Sequence, residues 1–192
     1  ARKAKLISVD YQNPRDYVDN KWGKVDERPY GGGPGMVMMA MPVVKATEKG
    51  LGKKKGNKVI IWFQPGAKQF NNKEADKLAK YDDIAFVCGR YEGIDERAVK
   101  ILKTIAPVKT YAVGEAVYTG GEVPALAMID AISRRIPGVL GKFDSVEENR
   151  VAARAVYTRP ETITYKGKKL RVPKVLQTGH HANIDAWKSK KQ

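Results

Sequence analysis

The sequence has few of the residues that disulfide-bonded, membrane-spanning or acidic proteins need. Cys88 is the one cysteine among 192 residues, which excludes an internal disulfide framework and is consistent with a reducing compartment. No apolar run approaches the length of a membrane span, and the first residues lack the apolar core of a signal peptide. Acidic residues number 21 against 36 lysines and arginines. These absences predict a soluble, cytoplasmic and basic protein.

The excess of positive charge is the strongest compositional feature. The formal net charge is +15, more than solubility requires. Lysines concentrate at 49–58, 166–174 and 188–191. Such clusters favour a polyanionic partner, and nucleic acid is the first candidate. The alternative is a lysine-rich background shared by the whole proteome of the source.

Glycine is concentrated in three stretches, at 28–36, 88–97 and 114–124. Glycine is costly to order, so it is typical of backbone that needs a positive φ or approaches a ligand closely. Each stretch also contains charged or aromatic residues, which plain turns do not need. The pattern favours one ligand site built from several loops, although glycines that only make turns are the simpler alternative.

Short apolar runs alternate with segments of helical spacing, which predicts an α/β fold. The predicted strands are 4–10, 58–63, 83–88 and 110–113, and the predicted helices are 36–48, 73–80, 94–105 and 124–136. Pro42 is expected to interrupt its helix, whereas Pro124 is acceptable in a first turn. Residues 142–192 are expected to form a linker and a short basic C-terminal extension.

Strands that alternate with helices indicate a parallel sheet with helices on both faces. In such sheets, ligands bind beyond the carboxyl ends of the strands. The loops after Phe63, Cys88 and Val113 are therefore the expected pocket.

The glycine stretches occur together with Ile-Pro-Gly-Val-Leu-Gly at 136–141, Tyr-Thr-Arg-Pro-Glu at 157–161 and Gly-His-His at 179–181. The first five of these motifs, in this order and at this spacing, closely resemble the bacterial tRNA (guanine-N1)-methyltransferase family, TrmD, of the SPOUT superfamily, and the Gly-His-His ending also recurs there. The resemblance runs collinearly from about residue 13 to residue 187.

This resemblance implies a SPOUT-type fold with a deep C-terminal trefoil knot that holds S-adenosyl-L-methionine. It also implies an obligate homodimer with shared active sites, and a reaction that methylates N1 of guanosine 37, next to the tRNA anticodon. The expected domains are a methyltransferase domain at 1–141, a linker and active-site loop at 142–157, and a truncated tRNA-binding domain at 158–192. Whether Mg²⁺ assists the reaction is left open, and no resident metal site is expected.

The methyl donor needs backbone groups and an apolar slot for its adenine, which the third glycine stretch can supply. A carboxylate at Glu92 is expected near the donor's positive charge. The alternative for this second stretch is a helix N-terminus with favourable acidic residues. The resemblance implies that the donor-binding positions are Pro65, Gly89, Tyr91, Glu92, Val113, Gly114, Glu115, Ala116, Val117, Tyr118, Gly120, Gly121 and Pro124.

The first glycine stretch exposes backbone N–H groups suited to a phosphate or a base. Basic and aromatic residues accompany it, and two further positions lie in the C-terminal motifs. The expected RNA-binding residues are Arg28, Tyr30, Gly32, Gly33, Arg159 and His180.

Guanine N1 carries a proton near neutral pH, so methylation needs a base together with a donor that stabilises charge on O6. The resemblance implies that Arg134 contacts guanine O6. It also implies that Asn149 occupies the position of the family's aspartate. A neutral amide cannot accept the proton, so Glu147 or Glu148 is the expected substitute. A catalytically impaired protein that binds RNA or assists ribonucleoprotein assembly is the alternative function.

Two other departures accompany Asn149. Residues 64–67 and 114–116 differ from the loop sequences usual in the family. Family members also begin with a further strand and helix and continue beyond residue 187. Two explanations remain for this difference: the sequence is incomplete, or it is that of a reduced family member.

Overall fold

The computed structural model describes residues 1–52, 55–140 and 155–189, and the chain divides into two units, Ala1–Val139 and Leu140–Gln192. Most of the predicted linker at 142–157 lies outside the described residues, so the predicted domain boundaries stay predictions. Within the described ranges, no helix combines the length and the apolar character needed to cross a membrane.

The first unit begins with a short 3-10 helix, Pro14–Tyr17, and then alternates strands and helices. In chain order these are β1 (Asp26–Glu27), β2 (Val37–Met38), α1 (Ala40–Leu51), β3 (Lys58–Phe63), α2 (Asn72–Leu78), β4 (Asp83–Val87), α3 (Arg97–Leu102), β5 (Val108–Tyr111) and α4 (Glu122–Ser133).

The central sheet is parallel, with the strand order β4-β3-β5, as the alternation of strands and helices predicts. Successive side chains of a strand point to opposite faces. Ile60 and Trp62 of β3 pack with residues of α1 and α3, whereas Val59 and Ile61 pack with residues of α2 and α4. Helices therefore cover both faces, and the predicted mixed α/β architecture is confirmed.

Helix α1 begins later than predicted and is not interrupted by proline. Pro42 is the third residue of α1, where a backbone N–H has no partner within the helix, so its absence costs little. Met36 lies before the helix, next to the strand Val37–Met38. Pro124 occupies the corresponding place in α4, which confirms that prediction.

Three sequence predictions need correction. Residues 4–10 form no strand, since they pair with no strand among the described residues. Helix α3 is shorter than 94–105, because Ile94 forms a parallel bridge with Met38. The strand predicted at 110–113 instead spans 108–111, because Ala112 bridges to Gln69 beyond the sheet.

The second unit contains regular structure that the sequence pattern did not predict. A hairpin joins β6 (Thr162–Tyr165) to β7 (Lys168–Arg171), followed by a 3-10 helix, Lys174–Gln177, and α5 (His181–Ser189). Within this unit, the rings of Tyr157 and Trp187 lie 6.1 Å apart between centroids.

Candidate functional site

The three loops expected to form the pocket all follow strands of the parallel sheet. They are 64–71 after β3, 88–96 after β4 and 112–121 after β5. Because the strands are parallel, their carboxyl ends share one edge of the sheet. The fold therefore gathers these loops on one side of the first unit.

Backbone hydrogen bonds join the loop after β3 to the end of β5. The N–H of Gln64 donates to the carbonyl of Tyr111 over 3.1 Å, and the N–H of Phe70 donates to Ala112 over 2.8 Å. Ala112 in turn donates to the carbonyl of Lys68 over 3.0 Å. These bonds hold the two segments side by side as the walls of one cleft.

An open cleft of about 260 Å³ lies between these walls. Five of the predicted donor-binding residues line it together with Gln69, and the lining is Pro65, Gln69, Gly114, Glu115, Ala116 and Val117. Sequence reasoning missed Gln69, whose Nε2 donates to the carbonyl of Gly114 over 3.2 Å. The only feature of the sequence that could have indicated Gln69 is its position four residues after Pro65.

Gly114 needs to be glycine for a conformational reason. Its φ is +76°, in the region that disfavours side chains, and it begins the third glycine stretch directly after Val113. The hydroxyl of Tyr118 lies 3.5 Å from the position a Cβ of Gly114 would occupy. Tyr118 therefore lies back over the start of its own loop, next to the cleft.

The loop after β4 contacts the segment that leads into α4. The N–H of Gly121 donates to the carbonyl of Gly89 over 3.0 Å, and Gly120 bridges to Arg90. The guanidinium Nε of Arg90 donates to Glu122 Oε1 over 2.8 Å. Gly89, Gly120 and Gly121 thus lie together, and Pro124 is buried one turn further on.

Cys88 lies in this contact, and its thiol has low reactivity. Burial, and next the negative charge of Glu122, raise the pKa of its thiol to about 11. Since the thiolate is the nucleophilic form, this raised pKa lowers the reactivity of Cys88 near neutral pH.

The first glycine stretch meets the loop after β4 at Gly35. The N–H of Glu92 donates to the carbonyl of Met36 over 3.0 Å, and a Cβ on Gly35 would come 2.5 Å from Glu92 Oε1. Tyr91 has a φ of +58° and an exposed side chain. The predicted donor contacts of Tyr91 and Glu92 stay predictions.

The predicted RNA-binding residues of the first stretch are exposed. Tyr30 is fully accessible, and Arg28 is also exposed. Gly32 and Gly33 have φ values of +79° and +113°, and a Cβ on either would meet no atom within 4 Å. The loop therefore presents open backbone, as an anion-binding segment requires, and its RNA contacts stay a prediction.

Arg134 follows the last residue of α4 and is half-buried. Glu147, Glu148 and Asn149 lie outside the described residues. In the second unit, Arg159 and His180 are both exposed. Within the described ranges, no group of three or more histidine, cysteine or acidic side chains is arranged to hold a metal ion.

The sheet, its gathered loops and the cleft between them define an α/β protein with an open cleft beyond the carboxyl ends of its parallel strands. The particular family follows from comparison with known sequences. The chain belongs to the family described as tRNA (Guanine-1)-methyltransferase TrmD, which matches it over residues 1–192.

Bacterial proteins named tRNA (guanine-N(1)-)-methyltransferase are similar to this chain along nearly its whole length. Those of Vibrio campbellii and Photobacterium profundum are 39% identical to it over 194 aligned residues, covering 99% of this chain and 75% of theirs. The protein of Vibrio atlanticus has the same identity and is covered over 76% of its length.

Proposed function

We propose that this chain transfers a methyl group from S-adenosyl-L-methionine to N1 of guanosine 37 in tRNA. Membership of the TrmD family and the names of its relatives support methylation of guanine N1 in tRNA. The observation that carries the proposal is the cleft between the loops after β3 and β5, lined mostly by residues expected to bind the donor.

The cleft has groups that fit the methyl donor. Pro65 and Val117 offer apolar surface for an adenine ring, and the backbone from Gly114 to Ala116 offers polar groups for its edge. The donor supplies an electrophilic methyl group on a positively charged sulfur. The chain has to bind it, orient the guanine and remove the proton from N1.

The charge on guanine O6 and the N1 proton need two different side chains. Arg134 is assigned to O6, where a fixed cation stabilises the negative charge that develops as N1 loses its proton. Glu147 or Glu148 is assigned as the base, because the adjacent Asn149 cannot accept a proton.

The position of Arg134 supports a shared site in a homodimer. Gly121 directly precedes α4, at the end of the loop that follows β5. Arg134 directly follows the other end of this 12-residue helix. At about 1.5 Å per residue, the two ends of the helix are about 18 Å apart. We therefore assign Arg134 to the donor bound by a partner subunit, an assignment that its separation from the start of α4 in its own subunit supports. Residues 120–121 contact residues 88–90, and this contact is compatible with a trefoil knot at this site.

The second unit is the proposed tRNA contact. Exposed basic residues concentrate on its hairpin, at Lys166, Lys168, Lys169 and Arg171, and Arg159 and His180 are also exposed. A basic surface of this kind binds the phosphate backbone.

Transfer of a labelled methyl group to an unmodified tRNA transcript with guanosines at positions 36 and 37 tests the proposal. We expect N1-methylguanosine at position 37, and Arg134→Ala should lower kcat about 100- to 1000-fold, as loss of a charge-stabilising donor does. Lys100→Ala, an exposed change on α3, is the matched control and should retain activity. Tight tRNA binding without methyl transfer would instead support an RNA-binding protein that lacks catalysis.

A further inference from the structure

Among the described residues, Glu74 is the one buried carboxylate, with 6% of its surface exposed. It lies in the first turn of α2, whose N-cap Asn71 accepts from the N–H of Glu74 through its side chain. The predicted function assigns no role to Glu74. A buried charge is expensive unless it is fully paired, and replacing such pairs by apolar residues often increases stability. Stability alone is therefore a weak explanation for this carboxylate.

Three donors converge on the two oxygens of Glu74. Oε1 accepts from Lys68 Nζ over 2.8 Å and from Lys77 Nζ over 3.0 Å. Oε2 accepts from the hydroxyl of Tyr111 over 2.7 Å. The carboxylate thus joins three separate segments: the loop after β3, helix α2 and the end of β5.

Two of these donors belong to the walls of the cleft. Lys68 precedes Gln69, which lines the cleft, and its own carbonyl accepts from Ala112. Tyr111 ends β5, three residues before Gly114, and its carbonyl accepts from Gln64. Lys77 is different, since it lies further along α2 and belongs to neither wall.

We propose that Glu74 is a positioning residue for the methyl donor: by binding Lys68 of one wall and Tyr111 at the base of the other, it sets the width of the cleft. This inference rests on the proposed function, since it takes the cleft to be the donor's. A ligand that fits between two walls binds more tightly when their spacing is already fixed, because less order has to be created on binding.

Lys68 and Lys77 offer a matched pair of variants for the test. Both donate to Oε1 of Glu74, and their side chains are 61% and 60% exposed, so neither substitution disturbs the core. Lys68→Met removes a link to the wall, whereas Lys77→Met removes an equivalent ion pair within α2. A purely structural role for Glu74 would make the two variants behave alike.

Calorimetric titration with S-adenosylhomocysteine, the product of methyl transfer, measures the effect on the full chain. Lys68→Met, Tyr111→Phe and Glu74→Gln should each weaken binding about three- to tenfold, the range produced by loss of a buried hydrogen bond. Lys77→Met should leave binding unchanged. In steady-state assays the KM for the donor should rise by a similar factor in the first three variants, with kcat at saturating donor little changed. Thermal unfolding of each variant reports whether it is folded.

Two results overturn the inference in different ways. Equal affinity of Lys68→Met and Lys77→Met for the product, or wild-type affinity in Tyr111→Phe, shows that Glu74 does not position the cleft. Failure of the wild-type chain to bind the product rejects the proposed function, and the inference falls with it.

Discussion

A Cβ atom on Gly121 would lie 2.6 Å from the Cα of Cys88. Real Cβ atoms do not approach backbone so closely, and neither segment is a flexible side-chain tip. The φ of Gly121 is −76°, so space and not backbone conformation requires glycine here. The contact brings the loop after β4 against the start of α4.

Gly121→Ala should therefore destabilise the fold by about 1–3 kcal/mol, the usual cost of overpacking. It should also weaken binding of S-adenosylhomocysteine, because the displaced segment leads back to the cleft. Urea unfolding and calorimetry measure the two effects. Gly66→Ala is the control for stability, since a Cβ there meets no atom within 4 Å. Equal stability of the two variants would show that this contact yields easily.

Cys88 should react slowly with thiol reagents in the folded protein. Burial and the charge of Glu122 raise its pKa to about 11, so little thiolate exists near pH 8. Iodoacetamide should modify it more slowly in the folded protein than in denaturant, because only the thiolate attacks. Glu122→Gln should increase the folded-state rate by lowering this pKa. Equal rates in folded and denatured protein would contradict the raised pKa of this half-buried thiol.

The stability contributed by Glu74 should depend on pH. Hydrogen bonds from Lys68, Tyr111 and Lys77 lower its pKa from 4.5 to about 2 in the folded state. A carboxyl group whose pKa is lower in the folded protein stabilises it fully above the unfolded pKa, and loses this contribution as pH falls. The difference in unfolding free energy between wild type and Glu74→Gln should therefore shrink from pH 5 towards pH 2. If the difference in unfolding free energy does not change with pH, it does not arise from the charge of Glu74.

The hairpin of the second unit should contribute salt-sensitive tRNA binding. Lys169 and Arg171 lie on the same face of β7, and both are exposed. Replacing both by alanine should reduce the slope of log affinity against log salt by about 1 for each phosphate that these side chains neutralise. Filter binding at several salt concentrations measures the slope, with Lys100→Ala as the control. An unchanged slope would place the RNA elsewhere.

The identity of the base can be found by exchange of residues. Glu147→Gln or Glu148→Gln, whichever removes the base, should lower kcat about 100-fold or more. Adding Asn149→Asp to the inactive variant should restore methyl transfer, because it returns a carboxylate to the position of the family's aspartate. Activity that survives the loss of both glutamates would assign the base to another group.

Local sequence pattern predicted much of the fold. The strand 58–63 has the predicted bounds, because six consecutive residues suited to a buried strand need no distant information. The helices after β3 and β5 were placed within two or three residues, since their apolar spacing is local. The glycine stretches predicted most of the residues that line the cleft, because Gly114 and its neighbours follow directly after a strand.

Sequence by itself therefore determined the alternation of strands and helices, the basic character of the chain and the loops that follow the strands. Only the tertiary structure decided that Ile94 bridges to Met38, that Gln69 reaches Gly114, and that Tyr111 binds Glu74 from 37 residues away. Such pairings depend on which surfaces meet when the sheet assembles. Local periodicity carries no record of them, because a side chain that binds a distant partner has the same spacing along the chain as one that faces solvent.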